Sequence, residues 1–286
     1  MKRSLRLPSV LLLSMAFLLS SPTAKAQELT AMSYNIRYDN PADGRDSWDQ
    51  RKEFLIAQIA YHAPDVVGTQ EGLLHQLRDM EVALEGYAFF GKGRDQGDEQ
   101  GEHTAVFYNT GQLELLEEET FWLSETPEVP SKGWDAALNR VCTYGRFRHR
   151  PSGREFYLFN THFDHVGKAA RRESVSLILR QIARVNAAGL PVVLMGDLNL
   201  EPDSAPIRQL ADSMDDAFDQ SGQAAYGPPG TFNGFDCTQP VTRRIDYIFT
   251  GPGDFTVRSH AILSEFTGLG FPSDHFPVLA RLEFSE

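Results

Sequence analysis

Pro191-Val192-Val193-Leu194-Met195-Gly196-Asp197-Leu198-Asn199 is the stretch on which the reading of this chain turns. A continuous apolar run from Pro191 to Met195 has the length and composition of a strand buried on both faces. A polar exit turn follows at once. Asp197 and Asn199 stand at i and i+2, so an extended turn presents them on one side. Alone, a Gly-Asp-x-Asn turn is as readily structural as chemical, and its meaning comes from the rest of the chain.

The same arrangement, a polar motif closing an apolar strand-like run, recurs at Ser33-Tyr34-Asn35, Gln70-Glu71, Asn160-Thr161-His162 and Ser273-Asp274-His275, with Arg244-Ile245-Asp246-Tyr247 before the last. These motifs are too scattered for local structure to unite them. A fold that gathers strand ends on one rim would. Together they hold four acids (Glu71, Asp197, Asp246, Asp274), two amides (Asn35, Asn199) and two histidines (His162, His275). Oxygen-rich ligands suit a hard divalent cation, and imidazoles and amides suit a phosphoryl group beside it. Glu71 directly follows the buried run Val66-Val67-Gly68-Thr69, where an unpaired charge is costly.

Between the motifs, strand-like and helix-like patterns alternate. Ser47 is a candidate cap for a helix through Leu55, Ile56 and Ile59, ended by Pro64; a second helix is expected from Leu73 to Leu84. Strands are expected at Glu28–Arg37, Asp65–Thr69, on both sides of a Gly-rich loop over Gly91–Gly101, and at Leu113–Leu123. A long loop from Ser124 to Asn139 and a hairpin of Tyr144–His149 with Glu155–Asn160 follow. Val175, Ile178, Leu179, Ile182 and Val185 mark one face of a helix of about five turns with an Arg-rich start, unusual for the positive helix end. Ile245–Phe249, Thr256–Leu263 and Pro277–Phe284 close the pattern, which is α/β or α+β.

In order, spacing and local sequence, these motifs resemble the endonuclease/exonuclease/phosphatase superfamily. The resemblance covers nearly the whole chain after about residue 28. It implies a DNase I-like fold, a four-layer sandwich of two packed mixed β-sheets flanked by helices. It also implies a phosphoric ester hydrolase using one or two Mg²⁺ or Mn²⁺ ions. By the same resemblance, Glu71, Asn35 and Asp274 hold the metal, and Asp197 and Asn199 align the attacking water. His162 and His275 contact the phosphoryl oxygens, and Asp246 orients His275. Arg140 is a weaker candidate for holding a substrate phosphate, and His103 and Asp164 for lining the substrate pocket. The match to the inositol phosphatase signature at Thr242–Asp246 is only partial. Diester and monoester substrates both remain open.

Residues 1–26 read as a cleavable leader: Lys2, Arg3 and Arg6 precede an apolar segment from Leu7 to Ser21, and Ala24-Lys25-Ala26 fits a small-x-small cleavage rule. The expectation is an exported protein, periplasmic or secreted, with one catalytic domain over residues 27–286 and no stable membrane insertion after cleavage. Loss of the leader's four cations moves the formal net charge from −12 to −16. Nonspecific nucleic-acid binding rests on Lys and Arg contacts to phosphates, so the balance favours a small phosphorylated substrate. A secreted nuclease is the alternative; it would need Lys92, Arg94, Arg171 and Arg172 to converge on the site. A non-catalytic binding protein on the same fold has no need for so many clustered acids. Cys142 and Cys237 could pair in an exported protein, and the sequence leaves this open.

Overall fold

The computed structural model describes residues 27–221, 225–268 and 270–286; the expected leader lies outside them. Among these residues twelve strands form two six-stranded sheets. In the first, β1 (Glu28–Asn35) lies between β2 (Val66–Gln70) and β12 (Val278–Phe284). It continues past β2 through β4 (Val106–Asn109) to β3 (Tyr87–Phe90), and β11 (Phe255–Ile262) forms the other edge. The second sheet runs β5 (Leu113–Trp122), β6 (Val141–His149), β7 (Glu155–His162), β8 (Val192–Asp197), β10 (Asp246–Thr250) and β9 (Asp215–Asp216).

Each sheet has one parallel pair, β1/β2 and β7/β8, and every other pairing is antiparallel. A parallel pair needs a crossover, and a helix supplies each one: α1 (Trp48–His62) and α3 (Lys168–Val185). Helices α1 and α2 (Leu74–Ala83) cover the first sheet, and α3 and α4 (Ala205–Ala211) cover the second. A short α5 (Ala217–Gln220) follows β9. The result is the expected four-layer sandwich.

Side-chain alternation produces these layers. Leu29, Ala31, Val66, Phe156, Leu158, Val193, Met195 and Ile248 meet between the sheets. Met32, Tyr34 and Val67 point instead to α1 and α2, and Phe159, Leu194 and Phe249 to α3 and α4. Toward the ends of the parallel strands, the positions in step with the inter-sheet residues become Ser33, Asn35, Gln70, Asn160, His162 and Asp197, all buried. Asn160 closes the sheets together below this polar end. Its Nδ2 donates to the carbonyls of Thr69 and Ala105 at 2.9 Å each, and its Oδ1 accepts from Gln70 Nε2 at 2.7 Å. Gly68 makes the approach possible, since a Cβ there would lie 2.7 Å from Asn160 Cγ.

Local details depart from the sequence reading. Ser47 precedes α1, but its side chain makes no capping bond, and Ala63 ends the helix in a left-handed conformation with its N–H on Ile59 O. The Arg-rich start of α3 is offset by Asp135 from the long loop, whose carboxylate accepts the N–H groups of Ala169 and Ala170. The hairpin strands run longer than expected: β6 starts at Val141 and β7 reaches His162, because the β7–β8 ladder continues to the His162–Asp197 pair. Cys142 is buried beneath α3 and Cys237 is exposed on a loop, so both are free thiols. No helix among the described residues is long and apolar enough to cross a membrane.

Replacing Asn160 by Ala removes the side-chain donor to the Thr69 and Ala105 carbonyls and the shortest acceptor of the Gln70 amide, and leaves a cavity between the sheets. The variant should lose about 3 kcal/mol of stability in urea unfolding. A loss below about 1 kcal/mol would mean that other groups hold the sheets together at this level.

Candidate active site

Register assembles the first part of the site. Across β7, β8 and β10, His162, Asp197 and Asp246 are paired neighbours in one row of the second sheet. In the first sheet Asn35 pairs with Gln70, and Glu71 follows. Asn35 joins the two halves: its Nδ2 donates to Glu71 Oε1 and to Asp197 Oδ2, each at 3.0 Å. Its Oδ1 accepts the Arg37 N–H at 3.0 Å.

Backbone geometry fits this assembly. Gly196 has φ 148°, and a Cβ on it would lie 1.9 Å from Thr161 O, so only glycine can stand before Asp197 in this ladder. Arg37, Glu71 and Asn199 take left-handed conformations, at φ 54°, 66° and 49°. Such strain in non-glycine residues clusters where surrounding structure over-determines the chain.

The last motif arrives through two ties. Ser273 Oγ donates to Asn35 O at 2.7 Å. Arg51, buried on α1, donates to the carbonyls of Ile36, Arg37, Asp46 and Pro272. Arg51 therefore clamps the segment after Asn35 to the segment before Ser273. Asp274 comes within 3.8 Å of Arg37 Nη1, which is also 4.0 Å from Glu71. His275 Nδ1 lies 2.9 Å from Asp246 Oδ2, and its Nε2 lies 3.8 Å from Asp197 Oδ2.

The two histidines are driven in opposite directions. Burial works against charge on His275, but Asp246, Asp197 and Asp274 override it and raise its pKa to about 10. Burial acts unopposed on His162, and the positive Arg140 and Arg94 add to it, so His162 stays neutral. Asn199 Nδ2 donates to Phe163 O, which fixes the amide orientation, and its other hydrogen is directed at His162 Nε2, 3.2 Å away. That nitrogen is thus the acceptor of the neutral ring. Asp197 is raised, first by burial and then by the Asp246 charge, and Asp274 is raised chiefly by burial.

Asn35, Glu71, His162, Asp197, Asn199, Asp246, Asp274 and His275 thus form one cluster. Glu71, His162 and Asp197 offer ligand atoms within 4.8 Å of one another, as do Asp197, Asp246 and His275. Above it opens a cleft of about 430 Å³, walled by Arg37, Arg94, Arg140 and Arg243 and by the apolar Tyr38, Leu138 and Phe232. A larger depression of about 540 Å³, beside Phe54 and Phe271, holds none of the cluster.

Arg140 lines the cleft. His103 borders a small hollow that shares Glu71, Arg94, Arg140 and His162 with the cleft, and Asp164 supports the cleft from behind. His103 bonds Gly72 O through both its backbone N–H and its ring, pinning the Gly91–Gly101 loop beside Glu71. Asp164 accepts the N–H groups of Ala137, Leu138, Val166 and Gly167. Burial opposes its charge, yet those bonds and Arg140 hold its pKa at about 2. The cations expected of a nuclease groove do not converge. Arg94 reaches the cleft, but Lys92 lies in a separate hollow beside Glu118 and Glu119, Arg171 bonds Asp164 O, and Arg172 pairs with Glu173. Arg37, Arg51, Phe232 and Arg243 escaped the sequence reading. Arg37, two residues beyond Asn35, and Arg243, directly before Arg244-Ile245-Asp246-Tyr247, had a motif nearby to signal them.

Asp246→Asn should lower the titration midpoint of His275 by about two pH units or more, followed through its ring signals by NMR. An unchanged midpoint would place the source of the shift elsewhere.

Residues 32–275 match the model of the Endonuclease/Exonuclease/phosphatase family. A mannosyl-6-phosphatase of Bacteroides thetaiotaomicron is 41% identical and superposes with a TM-score of 0.87 over 90% of this chain and 100% of that one. The uncharacterized protein L388 of Acanthamoeba polyphaga mimivirus is 29% identical over 54% of this chain and 60% of its own. Drosophila melanogaster Nocturnin is 29% identical over 54% of this chain and 25% of its own. The matched segments therefore span less than two thirds of these two curated relatives. With its motifs, its two-sheet sandwich and this family match in agreement, the chain belongs to the endonuclease/exonuclease/phosphatase family, whose members include phosphatases and nucleases.

Proposed function

We propose that this protein is an exported, divalent-metal-dependent phosphoesterase that acts on a small phosphorylated molecule, a sugar phosphate before a nucleic acid. The observation that carries this reading is the closed arrangement of Glu71, Asn35, Asp197, His275 and Asp246 at the floor of a cleft of about 430 Å³. That volume suits a monosaccharide phosphate or a nucleotide-sized ligand. Tyr38, Leu138 and Phe232 offer apolar surface for a sugar face. The mannosyl-6-phosphatase at 41% identity supports a phosphorylated sugar.

The residues fit a hard cation. Glu71 and Asp274 supply carboxylate oxygens, the donors that suit Mg²⁺ or Mn²⁺, while Asn35, expected as a ligand, has its oxygen on the Arg37 N–H and holds Glu71 and Asp197 through its nitrogen. One Asp246 oxygen is buried without a hydrogen-bond partner, and burial raises Asp197 and Asp274, with the Asp246 charge adding to the first and the Glu71 charge to the second, as expected of an acid cluster that gains from a positive charge. Such an ion supplies charge neutralisation at phosphoryl oxygens. The protein's own groups do the rest. Asp197, held by the Asn199 N–H and the Asn35 amide, orients the attacking water and takes its proton. The water oxygen bonds to phosphorus as the ester oxygen leaves on the opposite side. His275, kept protonated by Asp246, donates to the phosphoryl oxygens that gain charge. Neutral His162 positions by hydrogen bonding through Asn199. Arg51 positions the segments that carry Asn35 and Asp274.

Hydrolysis of sugar 6-phosphates, mononucleotides, p-nitrophenyl phosphate and bis-p-nitrophenyl phosphate tests the reading. Activity should vanish in EDTA, return with Mg²⁺ or Mn²⁺, and fall by about a thousandfold or more in Asp197→Ala. Metal-independent turnover, or turnover retained by Asp197→Ala, would sink it, and faster cleavage of an RNA or DNA oligonucleotide than of any sugar phosphate would favour the nuclease. For the leader, the mature protein recovered from an expressing bacterium should begin near Gln27. A retained leader on a cytoplasmic product would remove the export proposal.

A further inference from the structure

One wall of the cleft carries two arginines that its carboxylates do not fully occupy. Arg94 comes from the Gly91–Gly101 loop and Arg140 from the residue before β6, and both are buried, at 9% and 5% exposure. Asn139 Nδ2 and Trp122 Nε1 both donate to Arg94 O, which holds the two segments together. The guanidiniums are close enough that the charge of Arg94, after burial, is the main influence lowering Arg140. Both also press on neutral His162, so they share one face of the site.

Like charges are normally kept apart or neutralised in an interior. Here carboxylates stand near both, Asp95 at 3.9 Å from Arg94 Nε among them, but the hydrogen bonds are incomplete. Glu102 bonds Arg94 through Nη1 at 2.5 Å. Arg140 gives Nη2 to His165 Nδ1 at 3.0 Å and has the Asp164 carboxylate 3.5 Å from Nε. That carboxylate is already committed to four backbone N–H groups. Arg94 Nε, Arg140 Nε and Arg140 Nη1 are buried with no hydrogen-bond partner. Each such orphan is costly, and a group of three on one pocket wall calls for an absent acceptor.

We infer that Arg94 and Arg140 form a two-guanidinium subsite for the terminal phosphate of a phosphomonoester and select monoesters over diesters. This rests on the phosphoesterase reading and narrows its substrate class. Guanidinium forks match phosphate oxygens in geometry and charge. A monoester presents three terminal oxygens and carries close to two negative charges at neutral pH, whereas a diester presents two oxygens and carries one. With Asp197, Glu71 and His275 at the floor of the same cleft, a diester has one terminal oxygen fewer to share between the acid cluster and the arginine wall. Its second ester group would also be turned toward buried cations that it cannot satisfy.

The test pairs binding with kinetics on the full chain and on Arg94→Gln, Arg140→Gln and Arg140→Lys. Inorganic phosphate and dimethyl phosphate are titrated calorimetrically, in Mg²⁺ and in EDTA. Wild-type protein should bind phosphate at least about tenfold more tightly than dimethyl phosphate under both conditions, and each Gln variant should lose most of that preference. In turnover, kcat/KM for p-nitrophenyl phosphate should fall about a hundredfold in the Gln variants, while bis-p-nitrophenyl phosphate falls less than about tenfold. Arg140→Lys keeps the charge without the fork and should lie between; with Arg94→Gln on a surface loop, it keeps the test alive if Arg140→Gln does not fold. Equal binding of the two anions by wild-type protein, or equal losses on both esters, would overturn the inference. Selective phosphate binding without hydrolysis of any ester would leave the subsite standing and remove the hydrolase reading instead.

Discussion

The Asn35 amide donates to Glu71 on one sheet and to Asp197 on the other, and the rest of the site depends on that bridge. Two carboxylates at a sheet–sheet interface repel each other and lose their hydration, so the packing must supply donors or drive the sheets apart. Asn35 supplies both donors from one nitrogen. Its position depends in turn on the floor below, where Gly68 admits Asn160 and Asn160 satisfies Thr69, Ala105 and Gln70. The apolar core beneath is thus sealed by a layer of amides before the charged layer begins. Ser273 and Arg51 complete the frame by tying the end of β1 to the last motif.

Electrostatics in the cleft run against the balance of the whole molecule. The chain carries a formal charge of −12, yet in the cleft four arginines and a charged His275 face the carboxylates of Glu71, Glu102, Asp197 and Asp274, so the cleft is far less acidic than the molecule as a whole. Net charge governs long-range encounter, while the groups within a few ångströms govern what binds. The same short range explains the histidines. His162 and His275 both flank Asp197, but one faces Arg140 and the other Asp246, and their charge states separate accordingly.

The acid-and-imidazole half of the site was legible because each member closes a buried strand. An apolar run that ends in Asn35, Glu71, His162 or Asp197 announces a polar group at a sheet terminus, and the family order of the motifs implied that the termini converge. The arginine half was legible only in part: Arg140 and Arg94 stood out as candidates, but nothing showed that they share one wall of the cleft. Arg94 lies in a Gly-rich loop and Arg140 at the end of a long irregular one, where no periodicity says which way a side chain points. Arg51 sits on α1 and looks like any helix arginine until its four carbonyl partners are seen. Asp164 and His103 have the chemistry of pocket residues but are spent on backbone groups. Cys142 and Cys237 posed a question of distance alone, answered when one proved buried under α3 and the other exposed on a loop.

Composition and local pattern therefore determined the elements of this protein, the layer each strand face joins, and the acids, amides and histidines at the strand ends. Those properties follow from periods of two and 3.6 residues and from the cost of burying charge, which act over short stretches of chain. Tertiary structure alone decided which cations face those acids, which histidine is charged, and which polar side chains serve the frame instead of the cleft. Each of those outcomes depends on contacts between loops distant in sequence, and a difference of a few ångströms reverses them.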